Sequence, residues 1–186
     1  MYSIGHSNHT IETFTSLLRV HAIDRVADVR TIPHSRRHPQ FNRDALEQAL
    51  HRQRITYRHF PALGGLRTPL ENSVNTAWQH EGFRGYADYM QSAAFQEGLR
   101  ALLTFSGAGV TTAGSPQAGP DSGIHQTAVM CAEAAWWECH RQLLSDALLV
   151  ANVPVQHILV TGETRPHELS PFSRTEDGKV IYPGLL

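Results

Sequence analysis

The amino-acid sequence predicts an α/β fold: a mostly parallel five-stranded sheet with helices on both faces, Rossmann-like, its active rim at the C-terminal ends of the strands. Three observations predict it. Strand-like and helix-like segments alternate five times along the chain. At 186 residues the chain has the length of one full-sized domain. Each of the five strands ends in ionisable or glycine-rich residues, which is where open α/β sheets bind ligands.

Tyr2-Ser3-Ile4 begins the first strand, which ends in Gly5-His6-Ser7-Asn8. Thr10 reads as an N-cap, and Ile11, Phe14, Leu17 and Leu18 make one apolar stripe on a first helix. Val26-Ala27-Asp28-Val29 is the second strand, ending in Arg30. The basic loop from Pro33 to Asn42 is irregular, because prolines interrupt it. Asn42 is placed to cap a second helix, with Leu46, Ala49 and Leu50 facing inward. Ile55 to Phe60 alternates as a third strand and stops at Pro61 and the Gly64-Gly65 turn. Residues 66–83 read as irregular. A helical stretch begins at Arg84 and continues after Ser92 with Phe95, Leu99, Leu102 and Leu103. Residues 106–126 contain too few apolar side chains to pack and read as a flexible inserted loop. Ala128 to Cys131 is the fourth strand, Leu143, Leu144, Ala147 and Leu148 mark the next helix, and Val153 to Val160 is the fifth strand. Residues 161–186 form a polar tail in which Asp177-Gly178 signals a small hairpin or edge strand. The whole chain, 1–186, reads as a single domain.

A hydrophobic fraction of 41% and a charged fraction of 18% suit a soluble globular protein. No apolar run is long enough to cross a membrane. The residues from Met1 to His6 lack the basic and apolar regions of a secretory signal, so the expected compartment is the cytoplasm. The two cysteines are then expected as reduced thiols. The chain has fifteen arginines and a single lysine, Lys179. Nine of the arginines fall between Arg25 and Arg67, against Asp28, Asp44 and Glu47. Such a segment suits phosphate or carboxylate, which arginine binds bidentately. With Phe41, Tyr57 and Phe60 interleaved, the segment also suits nucleic acid.

The chemistry-bearing residues gather at the strand ends. Cys131 closes the fourth strand, two residues before Glu133. Cys139, His140 and Arg141 stand at the start of the following helix, where the helix dipole and Arg141 favour a thiolate. Either sulfur is a candidate nucleophile, with Glu133, His6 or His140 moving protons. Arg30, Arg36, Arg37 and Arg141, with Ser7 and Asn8, are candidates for holding an anion, and Asp28 for orienting one of these arginines in the substrate site or acting as a base. Gly64, Gly65 and Tyr86 complete the candidate rim. The layout is loosely similar to rhodaneses and cysteine phosphatases, in which a cysteine after a strand opens an anion loop closed by arginine. Here nine residues separate Cys131 from Arg141, longer than the phosphatase loop, and Ala134-Ala135-Trp136-Trp137 replaces a glycine-rich cradle. A second reading is a zinc or iron site, for which Cys131, Cys139 and His140 are the candidates, with His6 and His157 as further donors. A third is a thiol switch between the two cysteines.

One family accounts for many of these residues together. Gly5-His6-Ser7-Asn8, Asp28-Val29-Arg30, Ser35-Arg36-Arg37, Pro39-Gln40-Phe41-Asn42, Leu63-Gly64-Gly65, Arg84-Gly85-Tyr86-Ala87-Asp88-Tyr89-Met90, and Cys131-Ala132-Glu133 with Cys139-His140-Arg141 stand in its order. On these the chain is identified as a member of the prokaryotic family catalogued as domain of unknown function 488. The family's name implies no activity, so the expectation rests on the residues. It is an enzyme acting on a phosphate- or nucleotide-like small molecule, of transferase or hydrolase type. The alternatives are a nucleic-acid-binding module using segment 25–67 and a metal or thiol-redox protein.

Overall fold

The computed structural model describes residues 1–108 and 125–184. Most of the expected loop 106–126 therefore lies outside the described residues. The main sheet is built from β1 (Tyr2–Gly5), β2 (Arg25–Asp28), β3 (Thr56–His59), β4 (Thr127–Cys131), β5 (Gln156–Ile158) and β6 (Thr164–Pro166), in the order β3-β2-β4-β1-β5-β6. The first five are parallel and β6 is antiparallel to β5. The predicted class stands, with six strands in place of five. The extra strand carries no apolar signal, since all three of its residues are exposed. It ends at Pro166, a residue that sheets tolerate at their edges.

The helices are α1 (Ile11–Val20), α2 (Arg43–Arg52), α3 (Glu81–Tyr89), α4 (Ala93–Ser106) and α5 (Arg141–Val150). Alternating strand residues face two cores. Val26, Ala128, Met130, Ile4 and Ile158 pack with Phe14 and Leu18 of α1 and Leu46 and Leu50 of α2. Ala27, Val129 and Cys131 face the other way, against Tyr86, Phe95, Leu102, Leu143 and Leu144. So α1 and α2 cover one face, and α3, α4 and α5 the other. A two-stranded hairpin, β7 (Arg174–Glu176) and β8 (Lys179–Ile181), turns at Asp177 and Gly178, both at positive φ.

Three local expectations need correction. Asn42 precedes α2 but makes no side-chain cap; its Oδ1 instead accepts from the Ser35 N–H at 2.7 Å and folds the basic loop back. The stretch from Arg84 is two helices, because the Ser92 hydroxyl accepts from the Phe95 N–H and starts α4. The fifth strand pairs over only Gln156–Ile158: Pro154 brings no N–H to a ladder at one end, and Leu159 is taken into a turn at the other, its N–H donating to Glu163 O and its carbonyl accepting from Gly162. Thr10 caps α1 as expected, accepting from the Thr13 N–H.

The connections locate the crevice. The chain leaves β1 through α1 toward β2, and leaves β4 through α5 toward β5 on the opposite face. β1 and β4 are hydrogen-bonded neighbours, so the order reverses between their C-terminal ends. In open α/β sheets that reversal point is where ligands bind.

Candidate functional site

Past Gly5 the β1–β4 ladder continues, with the His6 N–H donating to Cys131 O at 2.9 Å and the Ser7 N–H to Ala132 O at 2.8 Å. The loop after Cys131 then crosses directly over β1. A Cβ at position 5 would stand 1.8 Å from Glu133 O, so only glycine fits beneath this crossing. Arg141 fixes the loop from inside: it donates to Ser3 Oγ at 3.1 Å and to Glu133 O at 2.5 Å, and is 1% exposed. Its guanidinium thus holds the protein's own loop.

At the end of β2, Asp28 is fully buried and accepts four donors. Arg30 supplies its backbone N–H at 3.0 Å, Nε at 2.9 Å and Nη2 at 2.6 Å, and Tyr57 its hydroxyl at 2.8 Å. Arg30 Nη1 lies 3.4 Å from His6 Nε2. His6 Nδ1 is 2.9 Å from the Ser7 carbonyl and donates to it, which leaves a lone pair on Nε2. Burial, with the charge of Arg30 adding to it, lowers the His6 pKa to about 4, so the ring is neutral at pH 7. Phe41 stacks on it at 4.2 Å between centroids.

The cysteines meet at the start of α5. His140 Nε2 donates to Val29 O at 3.0 Å, and its Nδ1 faces Cys139 Sγ at 3.5 Å. Donor atoms of Cys131, Cys139 and His140 all lie within 4.8 Å of one another. Both cysteines are free thiols. The Cys131 thiol is held well above its usual range, first by its hydrogen bond to Cys139 and then by burial. Cys139 is held well below, first by accepting that bond, with His140 and Arg141 adding to it. Of the wider set of possible donors, His6 and His157 do not join this group. His157 instead lies under Trp136, in a stack with centroids 4.1 Å apart. Its Nε2 faces His167 Nδ1, and His167 Nε2 donates to Asp146.

The Gly64-Gly65 turn shapes the wall opposite. A Cβ on Gly65 would stand 2.9 Å from His140 Nδ1. Tyr86 holds the turn from below, its hydroxyl donating to Leu63 O at 2.9 Å, and is itself fully buried. Asp88 accepts from the Leu70 N–H, Ser73 Oγ and Asn75 Nδ2, which orders part of the segment read as irregular.

These walls enclose a two-lobed cleft. A polar lobe of about 600 Å³ is lined by His6, Ser7, Asn8, His34, Ser35, Arg37 and His38. An apolar lobe of about 350 Å³ is lined by Leu66, Phe83, Gly65, Cys131, Cys139 and His140. Arg30, Ile32, Ala132, Glu133 and Glu138 line both and join them. Arg36 is exposed and lines neither lobe. Of the other arginines of segment 25–67, Arg43, Arg52 and Arg54 are exposed, and three make contacts of their own. Arg25 donates to Phe105 O, Arg58 lies over the Phe60 ring, and Arg67 lies 3.6 Å over the Tyr89 ring. Sequence reasoning missed Tyr57 as the fourth partner of Asp28, Ser3 as the partner of Arg141, and Glu138 in the rim. Only Tyr57 left a signal, its side chain falling in an alternating strand two residues before His59.

The family model for the domain of unknown function DUF488 matches residues 10–114. No curated protein and no solved structure matches the chain. The matched span contains the Asp28–Arg30 pair, the Gly64-Gly65 turn and Tyr86, and Cys131, Cys139 and His140 follow it.

Proposed function

We propose that this chain, which belongs to the DUF488 family, is an enzyme acting on a small anionic molecule bound across the β1–β4 crevice. Its reaction centre is the sulfur–imidazole cluster of Cys131, Cys139 and His140. One observation carries the reading: the pocket lined by Arg37, Ser7 and Asn8 adjoins the pocket lined by the two cysteines and His140, the two sharing Arg30, Ile32, Ala132, Glu133 and Glu138. Of Arg30, Arg36 and Arg37, whose convergence would favour a pocket ligand over nucleic acid, Arg30 and Arg37 line the pocket and Arg36 does not.

The roles follow from the geometry. Arg37 is the exposed cation of the polar lobe, with the Ser7 hydroxyl and Asn8 amide beside it as neutral donors. Arg30 is committed to Asp28 and positions His6. Glu133 and Glu138, exposed where the lobes meet, are the groups placed to exchange protons with solvent.

The test is a panel of phosphate- and carboxylate-bearing small molecules, screened by thermal shift and then for turnover. Hits are expected to weaken about tenfold in Arg37→Gln, which removes a charge-assisted contact of about 1.4 kcal/mol or more. Turnover is expected to vanish in Cys139→Ser while binding persists. Hits indifferent to Arg37→Gln, or turnover that survives Cys139→Ser, would sink the reading.

A further inference from the structure

We propose that Cys131, Cys139 and His140 hold a divalent cation of the zinc class, in a three-ligand site whose fourth position opens into the apolar lobe. This deepens the enzyme reading and rests on it for the ligand that would share the cleft.

The donor set has the right chemistry. Two sulfurs and an imidazole nitrogen form a borderline-soft set that suits zinc and its neighbours rather than magnesium or calcium. Two thiolates also balance a divalent charge, which matters at a floor where both cysteines are buried. The spacing fits as well. Zinc–sulfur bonds of about 2.3 Å and zinc–nitrogen bonds of about 2.0 Å place two donors at a tetrahedral angle roughly 3.5 Å apart. Cys139 Sγ and His140 Nδ1 are 3.5 Å apart, and the whole trio lies within 4.8 Å.

Two further features point to a ligand. His140 is oriented as metal-bound imidazoles are: one nitrogen donates to a backbone carbonyl, here Val29 O at 3.0 Å, and the other faces the ligand position. Position 65 is glycine where a methyl group would stand 2.9 Å from that nitrogen. Three protein donors with a side open to a cleft is the form of catalytic rather than structural zinc sites, which close with four.

The experiment uses the full chain, stripped of metal under anaerobic reducing conditions and titrated with cobalt(II), then with zinc. The expected result is one equivalent bound, with sulfur-to-cobalt charge-transfer absorption and tetrahedral visible bands, both erased by zinc. Cys139→Ser and His140→Ala, checked for folding by circular dichroism, are each expected to weaken cobalt binding by about 100-fold or more. Absence of the charge-transfer band, or unchanged affinity in His140→Ala, overturns the proposal. The two readings fail separately. If cobalt does not bind but the small-molecule hits still depend on Arg37, the metal proposal falls and the anion-binding enzyme stands. If cobalt binds with charge transfer and no anion binds the cleft, the metal site stands and the substrate reading falls.

Discussion

Replacing Asp28 by asparagine tests the most buried charge of the site. Asp28 is fully buried and Arg30 is 5% exposed, so the pair has left water almost completely. The substitution keeps the shape of the side chain but leaves the guanidinium with no counter-charge. Breaking a buried pair from one side costs about 3–5 kcal/mol. For a chain of this length each kcal/mol moves the melting temperature by about 2–4 °C, so a fall of roughly 6–20 °C is expected. Tyr57→Phe removes one hydrogen bond to the same carboxylate, at 2.8 Å, and spares the ion pair. Its expected cost is smaller, about 1.5 kcal/mol. Replacing both partners, Asp28→Leu with Arg30→Met, removes the stranded charge and is expected to recover most of the loss. Urea denaturation of the four proteins, at constant m value, reads these differences directly. A loss under about 1 kcal/mol in Asp28→Asn, or a double variant no better than the single one, refutes the account of this pair.

Three other outcomes follow from the same geometry. Gly5→Ala puts a methyl carbon 1.8 Å from Glu133 O, so the loop over β1 must shift. A destabilisation of about 2 kcal/mol or more is expected, together with loss of cobalt binding, and an unchanged melting curve counts against the crossing. Gly65→Ala crowds His140 Nδ1 while leaving every donor in place. Cobalt affinity should fall by more than tenfold with little change in urea stability, and equal affinity would remove the glycine from the argument. His6 and His157 have pKa values lowered to about 4 and about 3, each first by burial. Above pH 6.5 both states are neutral and stability is full. As pH falls below 6.5 the unfolded chain takes up protons that the folded one refuses, so stability drops about 1.4 kcal/mol per pH unit for each histidine. The drop continues to about pH 4 for His6 and about pH 3 for His157. Urea midpoints at pH 7.5, 6 and 5 should decline more gently in His6→Gln than in the parent, and identical slopes would contradict it.

The parallel sheet was legible because its strands are short apolar runs separated by helices with a clear stripe, such as Phe14 with Leu18 and Leu46 with Leu50. β6 was not, because an exposed edge strand buries nothing and so writes no pattern. In the site, chain position alone grouped Cys131 with Cys139, His140 and Glu133, since all follow one strand. It also grouped Arg30, Arg36, Arg37 and Arg141 as anion binders, and here contact decides what composition cannot. Arg30 faces its own Asp28 two residues away, Arg141 faces Ser3 across the sheet, Arg36 lies outside the cleft, and Arg37 lines it. A guanidinium's partner depends on which backbone passes within a few ångströms, and that information is spread over residues 138 positions apart. The orientations of the His6 and His140 rings were equally unreadable, because each is set by a carbonyl, one adjacent and one 111 residues distant.

Arg141 also explains why the long loop after β4 cannot work as a phosphatase loop does. An anion cradle needs backbone N–H groups turned toward the ligand and an arginine closing over it. In this chain the arginine points down into the protein, where it meets Ser3 Oγ and the carbonyl of Glu133. That carbonyl passes over Gly5, so the crossing is built around an acceptor rather than a donor. Trp136 pins the far side of the loop by stacking on His157. The loop is therefore a clasp, anchored at Glu133 and Trp136, and what it holds in place is the pair of sulfurs at its two ends. Under the proposed function, anion recognition falls to side chains of the polar lobe, and the sulfur end is left for the chemistry of two cysteines and an imidazole.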